Sequence, residues 1–433
     1  MTSASASPVV PVSSRAHAGR PRGRGVGGTR FAVARGLGSA AAALSRLTGA
    51  GGGTTIGGRV MLAVDPFALR RAAAGRRLIL VSGTNGKSTT RTLLTAALRT
   101  RGAVVSNEGG ANMPAGLTAA LAADPNAEVG VLEVDEPYLP AVITATRPAA
   151  VVLLNISRDQ LDRYAEVRRL AGGWREALGR PSAPHVTANA DDPLVAWAAG
   201  TARSVTWVSV GLRWRADATV CPACGGLIHF GPADWRCDCG WRRPPPQWRL
   251  EEDVLLDQAG RRHPIVLQLP GAVNRGNAAM AAVAAVTLGV SVPSALVAMA
   301  AVDRVDGRYA RRRYAGRAVR LLLAKNPAGW QEALTMVAPQ PAGLVVAVNA
   351  HVADGADPAW LWDVPFEQLR GRRVIATGER CTDVAVRLRY ADVEHLQVRD
   401  WRDALQAFPT GHPVEAVANY TAFQALRKVI GDG

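Results

Sequence analysis

The chain has 433 residues, more than one hydrophobic core usually serves, so two or three domains are expected. Its 51 Lys and Arg against 35 Asp and Glu leave a formal net charge of +16, which favours anionic partners: phosphorylated substrates, nucleic acid or an anionic lipid surface. The sequence has neither a run of 18 apolar residues nor a compact apolar segment with a cleavage site near its start, which argues against a membrane span and a signal peptide and makes the cytoplasm the expected location.

Residues 1 to about 30 are mostly Ser, Ala, Gly, Pro and Arg, a composition that cannot offset the entropy of ordering. An amphipathic helix is expected from Phe31 to Leu47, then a glycine-rich link without fixed shape from Gly49 to Gly58. Residues 1–58 are therefore read as a disordered basic tail and linker, followed by a first α/β domain over 59–310. Leu78–Ser82, Val129–Val134 and Ala150–Asn155 read as buried strands between Ala-rich helical stretches, the pattern of a parallel sheet covered on both faces. That rhythm breaks over 220–246, where Cys, Gly, Trp and Pro dominate, so this piece reads as an insertion. A second, Rossmann-like α/β domain over 311–433 carries expected strands at Val319–Leu323, Gly343–Asn349 and Arg373–Thr377.

The first expected strand runs directly into Gly83-Thr84-Asn85-Gly86-Lys87-Ser88-Thr89-Thr90 and then a helical pattern from Arg91 to Thr100. Strand, glycine-flanked turn and helix together make a phosphate loop: backbone N–H groups wrap the phosphates and the helix N-terminus adds positive potential. Lys87 reaches the β/γ-phosphates and Ser88 ligates Mg²⁺. Glu133 ends the next apolar strand, with Asp135 and Glu136 behind it, and acidic residues at the carboxyl end of a parallel strand face the ligand crevice. Asn274 and Asn277 lie three residues apart at the start of an Ala-rich helix, so both amides share one helix face; helix capping is the plainer reading.

Four of the five cysteines, Cys221, Cys224, Cys237 and Cys239, fall within 19 residues, each pair trailed by glycine. Two such turns form a zinc-ribbon pattern, and four thiolates suit a closed, structural Zn²⁺ site. The second pair is C-x-C where C-x-x-C is usual. Cys381 stands apart, with no context for a nucleophile.

Gly83–Thr90 resembles the phosphate loop of the Mur ligases and folylpolyglutamate synthetases. The resemblance implies ATP-dependent amide-bond formation through an acyl phosphate, with Gly83, Thr84, Asn85, Gly86, Lys87, Ser88 and Thr89 on ATP, and Mg²⁺ on Ser88 and Glu133. Gly271-Ala-Val-Asn-Arg-Gly-Asn277 is similar to the family element whose asparagines, here Asn274 and Asn277, lie near the nucleotide. Asp303–Tyr309 is similar to the closing loop that contributes Arg308. Asn155–Tyr164 resembles the family segment D-H-L-D-R-H, but Gln160 replaces its metal-binding His, and Trp174 occupies the place of a carbamylated Lys. The implied second metal site is altered.

The ribbon, together with Leu323–Trp330 and Asn349–Asp363, resembles the MurT-like branch of the family. That likeness implies the ATP-using subunit of a heterodimer whose GatD-type glutaminase partner supplies ammonia, and a lipid II precursor as substrate, met at the inner face of the membrane. It further implies that an acidic residue of this subunit completes the partner's Cys-His pair. Asp357, placed before Pro358 like an N-cap, is the first choice, Asp354 the second and Asp363 a third; Trp360 and Trp362 would supply apolar docking area. A stand-alone amino-acid-adding ligase would need the second metal site intact. A nucleic-acid-binding ATPase would need its arginines packed into a basic-aromatic run, whereas they are spread along the chain, so no nucleic acid is expected.

Overall fold

The structure, a computed structural model, describes residues 26–48, 54–159, 167–305, 309–338, 342–351, 354–355 and 357–430. Helices α1 (Val26–Leu47), α2 (Thr54–Val64) and α3 (Ala68–Ala73) lead into a regular alternation. It runs β1 (Arg77–Ser82), α4 (Lys87–Arg99), β2 (Val104–Ser106), α5 (Pro114–Ala123), β3 (Val129–Glu133), α6 (Leu139–Thr146), β4 (Ala150–Leu153), α7 (Val167–Leu178), β5 (His185–Asn189), α8 (Pro193–Ala199) and β6 (Val205–Ser209). A separate hairpin, β7 (Ile228–Phe230) and β8 (Trp235–Cys237), precedes β9 (Trp248–Glu251), β10 (Val254–Leu256), β11 (Arg262–Pro264), α9 (Ala272–Val286) and α10 (Val292–Ala300).

These strands form one nine-stranded sheet in the order β11-β10-β9-β6-β5-β4-β1-β3-β2, parallel from β9 to β2. Chain direction across the sheet reverses at β1, so the crevice for a ligand opens at the carboxyl ends of β1, β3 and β4. β1 is apolar throughout from Leu78 to Val81 and buried on both faces. One face packs on α4, α9 and α10 through Leu93, Leu94 and Met280, the other on α5 to α8 through Leu117, Val142 and Trp174.

A second sheet follows: β12 (Tyr309–Tyr314), β13 (Arg317–Leu323), α11 (Pro327–Met336), β14 (Gly343–Ala347), β15 (Val374–Thr377), α12 (Cys381–Tyr390), β16 (His395–Gln397), α13 (Trp401–Gln406), β17 (Val414–Ala418) and α14 (Tyr420–Ile430). Its order is β12-β13-β17-β14-β15-β16, parallel except for the β12–β13 pair. All six strands named from the sequence are present, with ends within two residues of those expected.

The expected boundaries shift. The division at 310/311 cuts β12, which is hydrogen-bonded to β13, so the second sheet begins by Tyr309. The helix expected from Phe31 starts at Val26, and the division at 58/59 falls within α2, so 26–47 and 54–58 are helical rather than tail and linker; residues 1–25 and 49–53 lie outside the described residues. Gly57 and Gly58 read as flexible by composition, yet they sit at helix crossings. A Cβ on Gly57 would stand 2.8 Å from the Gly38 carbonyl oxygen, and one on Gly58 would stand 1.7 Å from that of Ala115 in α5. Glycine here permits backbone approach, which holds α1 and α2 on the first domain.

Replacing Gly58 with Leu should lower stability by roughly 1–3 kcal/mol, because backbone rather than a flexible side chain blocks the new atoms. Gly36→Ala in α1, with no atom near its added Cβ, should be neutral or stabilising by up to about 1 kcal/mol. Urea unfolding of both variants measures the contrast; equal effects would mean that the Gly58 crossing is loose.

Candidate active site

The loop between β1 and α4 is held in one shape by its neighbours. Gly83 and Gly86 have φ of 142° and 88°, and a Cβ on Gly86 would come within 2.4 Å of Asn277 Oδ1. Thr84 N–H donates to the Asn155 carbonyl (3.0 Å), Thr84 Oγ1 donates to the Ser157 carbonyl (3.1 Å), and Ser157 N–H donates back to Thr84 Oγ1 (2.9 Å). Asn155 closes the clasp: its Oδ1 accepts from Asn85 N–H and its Nδ2 donates to the Asn85 carbonyl, both at 2.9 Å. Asp192, which caps α8, also accepts from Ile156 N–H at 2.8 Å. Thr89 lies buried in the first turn of α4.

Lys87 is buried, and its Nζ donates to Glu136 Oε2 at 2.8 Å and to the Thr84 carbonyl at 3.3 Å, with Asp135 at 3.8 Å. Burial opposes its charge, but Glu136, Asp135 and Glu133 hold its pKa above the ordinary lysine value. Burial likewise opposes ionisation of Glu136, and Lys87 pulls it below the ordinary range, so the pair stands ionised. Asp135 is pushed up to about 7 by burial and by the Glu136 charge, against the pull of Lys87. Glu133 accepts from Asn112 Nδ2 (3.3 Å) and lies 3.8 Å from Arg91 Nε.

Asp159 adds a fourth carboxylate, raised in pKa by burial and Glu136, and its Oδ1 has no hydrogen-bond partner among the described residues. Four carboxylates thus gather around one lysine, and the unsatisfied buried oxygen of Asp159 could serve as a single ligand of a cation shared with phosphates. Trp174 is buried in the core, its Nε1 donating to the Glu136 carbonyl at 2.9 Å. An apolar indole therefore fills the position where the family resemblance implies a metal-bridging lysine. Gln160 and Arg308 lie outside the described residues.

A cavity of ≈ 680 Å³ opens beside the loop, lined by Asn85, Asn155 and Asn277 at one end and by Val210, Trp214 and Leu250 further out. Arg213, Glu252, Asp253, Arg275 and Glu332 also line it, so amides beside the loop are joined by both apolar and charged groups, a mixture that suits a molecule with an anionic end and a flat, polar-edged end. Asn277 donates to Asn274 Oδ1 (3.3 Å) while Asn274 donates to the Pro270 carbonyl (2.6 Å), so the two amides share a face as expected and one partly secures the helix start.

The second domain reaches this loop. Asn326 caps α11 by accepting from Gly329 N–H (2.8 Å), and it exchanges amide hydrogen bonds with Asn85 at 3.1 and 3.3 Å. Arg158 pairs with Asp217 and, at 3.3 Å, with Asp363. Asp159 and Asn326 were not singled out from the sequence; Asn326-Pro327, a cap followed by proline, was the available signal.

The three C-terminal carboxylates differ. Asp354 is buried and accepts from both the N–H (2.9 Å) and the hydroxyl of Thr421. It ties its own loop to the first turn of α14 and lacks the exposure that a role across an interface requires. Asp357 is exposed, its Oδ1 accepting from Ala359 N–H at 2.9 Å, and Asp363 is engaged by Arg158. Trp360 packs on Trp330, leaving Trp362 as the exposed indole.

The four clustered thiols converge at the β7–β8 hairpin, with Cys221–Cys239 sulfurs 3.8 Å apart, Cys224–Cys237 3.5 Å apart and all within 4.8 Å. A tetrahedral Zn²⁺ with Zn–S near ~2.3 Å requires S···S of about 3.8 Å. The hairpin is fastened to the first sheet by Trp235 Nε1 on the Ala190 carbonyl (3.1 Å) and by Arg243 on Asp191 (2.6 Å). Elemental analysis should find about one zinc per chain, and Cys237→Ser should remove it and cost several kcal/mol of stability. A fully folded, metal-free parent protein would refute the site.

A family model for the Mur ligase middle domain matches residues 81–220, and one for the MurT ligase C-terminal region matches 323–423. The chain is 28% identical to the MurT subunit of lipid II isoglutaminyl synthase (glutamine-hydrolyzing) of Streptococcus pneumoniae, over 89% of this chain and 94% of that one. It is 29% identical to the subunit of the same name from Staphylococcus aureus, over 79% and 84%. A pseudomurein peptide ligase type C from Methanothermus fervidus shares the fold, with TM-score 0.65 and 20% identity over 82% of this chain and 78% of that one. With the two models falling in order on the two sheets, the chain belongs to the Mur ligase family, as a ligase joining the family's middle domain to a MurT-type C-terminal domain.

Proposed function

We propose that this chain is the ATP-using subunit of an amidotransferase that converts the α-carboxylate of D-glutamate in the lipid II stem peptide to the amide of D-isoglutamine. The observation that carries the reading is the buried Lys87 among Glu133, Asp135, Glu136 and Asp159, at the carboxyl ends of β1, β3 and β4. A lysine so placed can leave Glu136 for the phosphates of ATP, whose base and ribose occupy the cavity toward Trp214 and Leu250. The substrate and the amide donor are supported by the names of the pneumococcal and staphylococcal relatives.

An oxygen of the substrate carboxylate attacks the γ-phosphorus, the bond to the β-phosphate oxygen breaks, and ADP leaves an acyl phosphate. Ammonia then adds to the acyl carbon, loses a proton and expels phosphate. Lys87 and the backbone N–H groups of Thr84 to Ser88 stabilise the charge that moves along the phosphates. Mg²⁺ held by Ser88 and Glu133 would neutralise the β- and γ-phosphate oxygens. A GatD-type glutaminase supplies the ammonia, and exposed Asp357 orients the imidazole of its Cys-His pair across the interface, beside the exposed ring of Trp362.

Lys87→Ala should reduce amidation of lipid II by roughly a hundredfold or more with either glutamine or ammonium as donor, without unfolding the protein. Near-parent activity would overturn the loop assignment. In the complex with the glutaminase, Asp357→Asn should suppress the glutamine-dependent rate by at least about tenfold while leaving the ammonium-dependent rate close to parent. Equal loss of both rates would move Asp357 into the ligase site or the fold, and no loss would remove it from the partner's mechanism.

A further inference from the structure

Helix α1 has two apolar faces, and among the described residues only one is covered. Ala34, Gly38 and Ser45 are buried on the side that meets α2. Val33, Leu37, Ala40, Leu44 and Leu47 recur at spacings of four and three, so they line a second stripe, roughly 20 Å long by helix geometry. The four larger side chains of this stripe are 52, 49, 63 and 85% exposed. Scattered surface leucines need no explanation, but a continuous helical stripe does.

Charge says what covers it. Residues 1–64 contain eight arginines and no Asp or Glu, so this seventh of the chain carries half of the net charge of +16. Arg30, Arg35 and Arg46 are on α1 itself and exposed, and Arg59 on α2 is exposed as well. A second copy of the chain would bring arginine against arginine along this helix. An anionic bilayer instead offers acyl chains to the stripe and phosphates to the arginines. No helix among the described residues is long and apolar enough to cross a membrane, and three arginines along α1 suit a helix lying in the interface plane.

We propose that α1 is an interfacial anchor that seats the chain on an anionic phospholipid surface, with Val33, Leu37, Leu44 and Leu47 in the headgroup–acyl boundary and Arg35, Arg46 and Arg59 available to lipid phosphates. The inference rests on α1 and on composition; its value for reaching a lipid-linked substrate rests on the proposed function. Gly38, Gly57 and Gly58 hold α1 through α2 to α5, the helix between β2 and β3, so docking the anchor docks the domain that carries the phosphate loop.

Sedimentation of the full chain with vesicles tests this, using equal parts phosphatidylglycerol and phosphatidylcholine against phosphatidylcholine alone, without substrate. The parent should bind the anionic vesicles preferentially and be released by raising salt toward about 0.5 M. The double variant Leu37→Glu/Leu44→Glu should bind at least about tenfold more weakly with an unchanged unfolding midpoint, since both side chains are already exposed. Arg35→Gln/Arg46→Gln should weaken binding to the anionic vesicles only, and Val297→Glu on α10 should bind like the parent. Failure of the parent to bind, or parent-like binding by the leucine variant, overturns the anchor. So does a leucine variant whose main effect is to dissociate a dimer of this chain or to lose the glutaminase subunit, because the stripe would then be a protein interface. Because the vesicles hold no substrate, failure here leaves the amidation reading standing, and a failed amidation assay leaves the anchor standing.

Discussion

The clasp between the loops after β1 and β4 is the constraint on which the cleft depends. A phosphate loop works only if its N–H groups already point at one place, yet Gly83 and Gly86 hold left-handed or extended positive-φ conformations with little intrinsic preference for that shape. Five hydrogen bonds from Asn155 and Ser157 supply it. At a net ~1 kcal/mol each, they offset much of the entropy of ordering a short glycine-flanked loop, estimated at about 1–2 kcal/mol per residue.

The clasp is itself supported from two directions. On one side Asp192 fixes Ile156, while the adjacent Asp191 receives Arg243 and Ala190 receives Trp235, both from the thiol-bearing insertion. Asp217, in the approach to that insertion, accepts from Arg158 N–H at 2.9 Å. The thiol cluster, far from the glycine-flanked loop, is thus linked to it through contiguous bonded groups. On the other side, Asn326 of the second domain holds Asn85, and the same Arg158 reaches Asp363. Interdomain closure and loop shape are therefore coupled at Asn85 and Arg158: opening the domains removes partners from the loop.

The main strands and the phosphate loop were readable because burial on both faces leaves an uninterrupted apolar run, as in Leu78 to Val81 and Ala150 to Leu153, and because a strand, a glycine turn and a helix follow one another without a gap. The thiol cluster was readable from spacing alone. Composition misled at Gly57 and Gly58, where glycine serves close packing, a property that depends on Gly38 and Ala115 elsewhere in the chain. The sequence ranks Asp357 ahead of Asp354 from its cap position alone; the burial of Asp354 against Thr421, 67 residues further on, is not visible there. Asp159 and Asn326 were legible only as parts of larger segments; their meeting with Asn85 and Lys87 is a tertiary fact.

The chemistry of the lysines carries the argument one step further. Only Lys87, Lys325 and Lys428 interrupt a basic complement otherwise made of arginine, so a lysine is the exception wherever it occurs. A guanidinium is broad, planar and fixed in charge, whereas an ammonium is a compact point charge on a flexible stem. At Lys87 that difference bears on the proposed function. The ammonium fits between the Thr84 carbonyl and Glu136 in a buried pocket, and it can swing from a carboxylate to a phosphate without leaving either charge uncompensated for long. Removing the lysine would strand Glu136, Asp135 and Glu133 together in low dielectric, a cost greater than the worth of any one of the pairs. Before nucleotide arrives, the ion pair with Glu136 keeps the charge of Lys87 in place. In the proposed reaction, the carboxylates that Lys87 leaves would supply negative charge for a cation beside the phosphates.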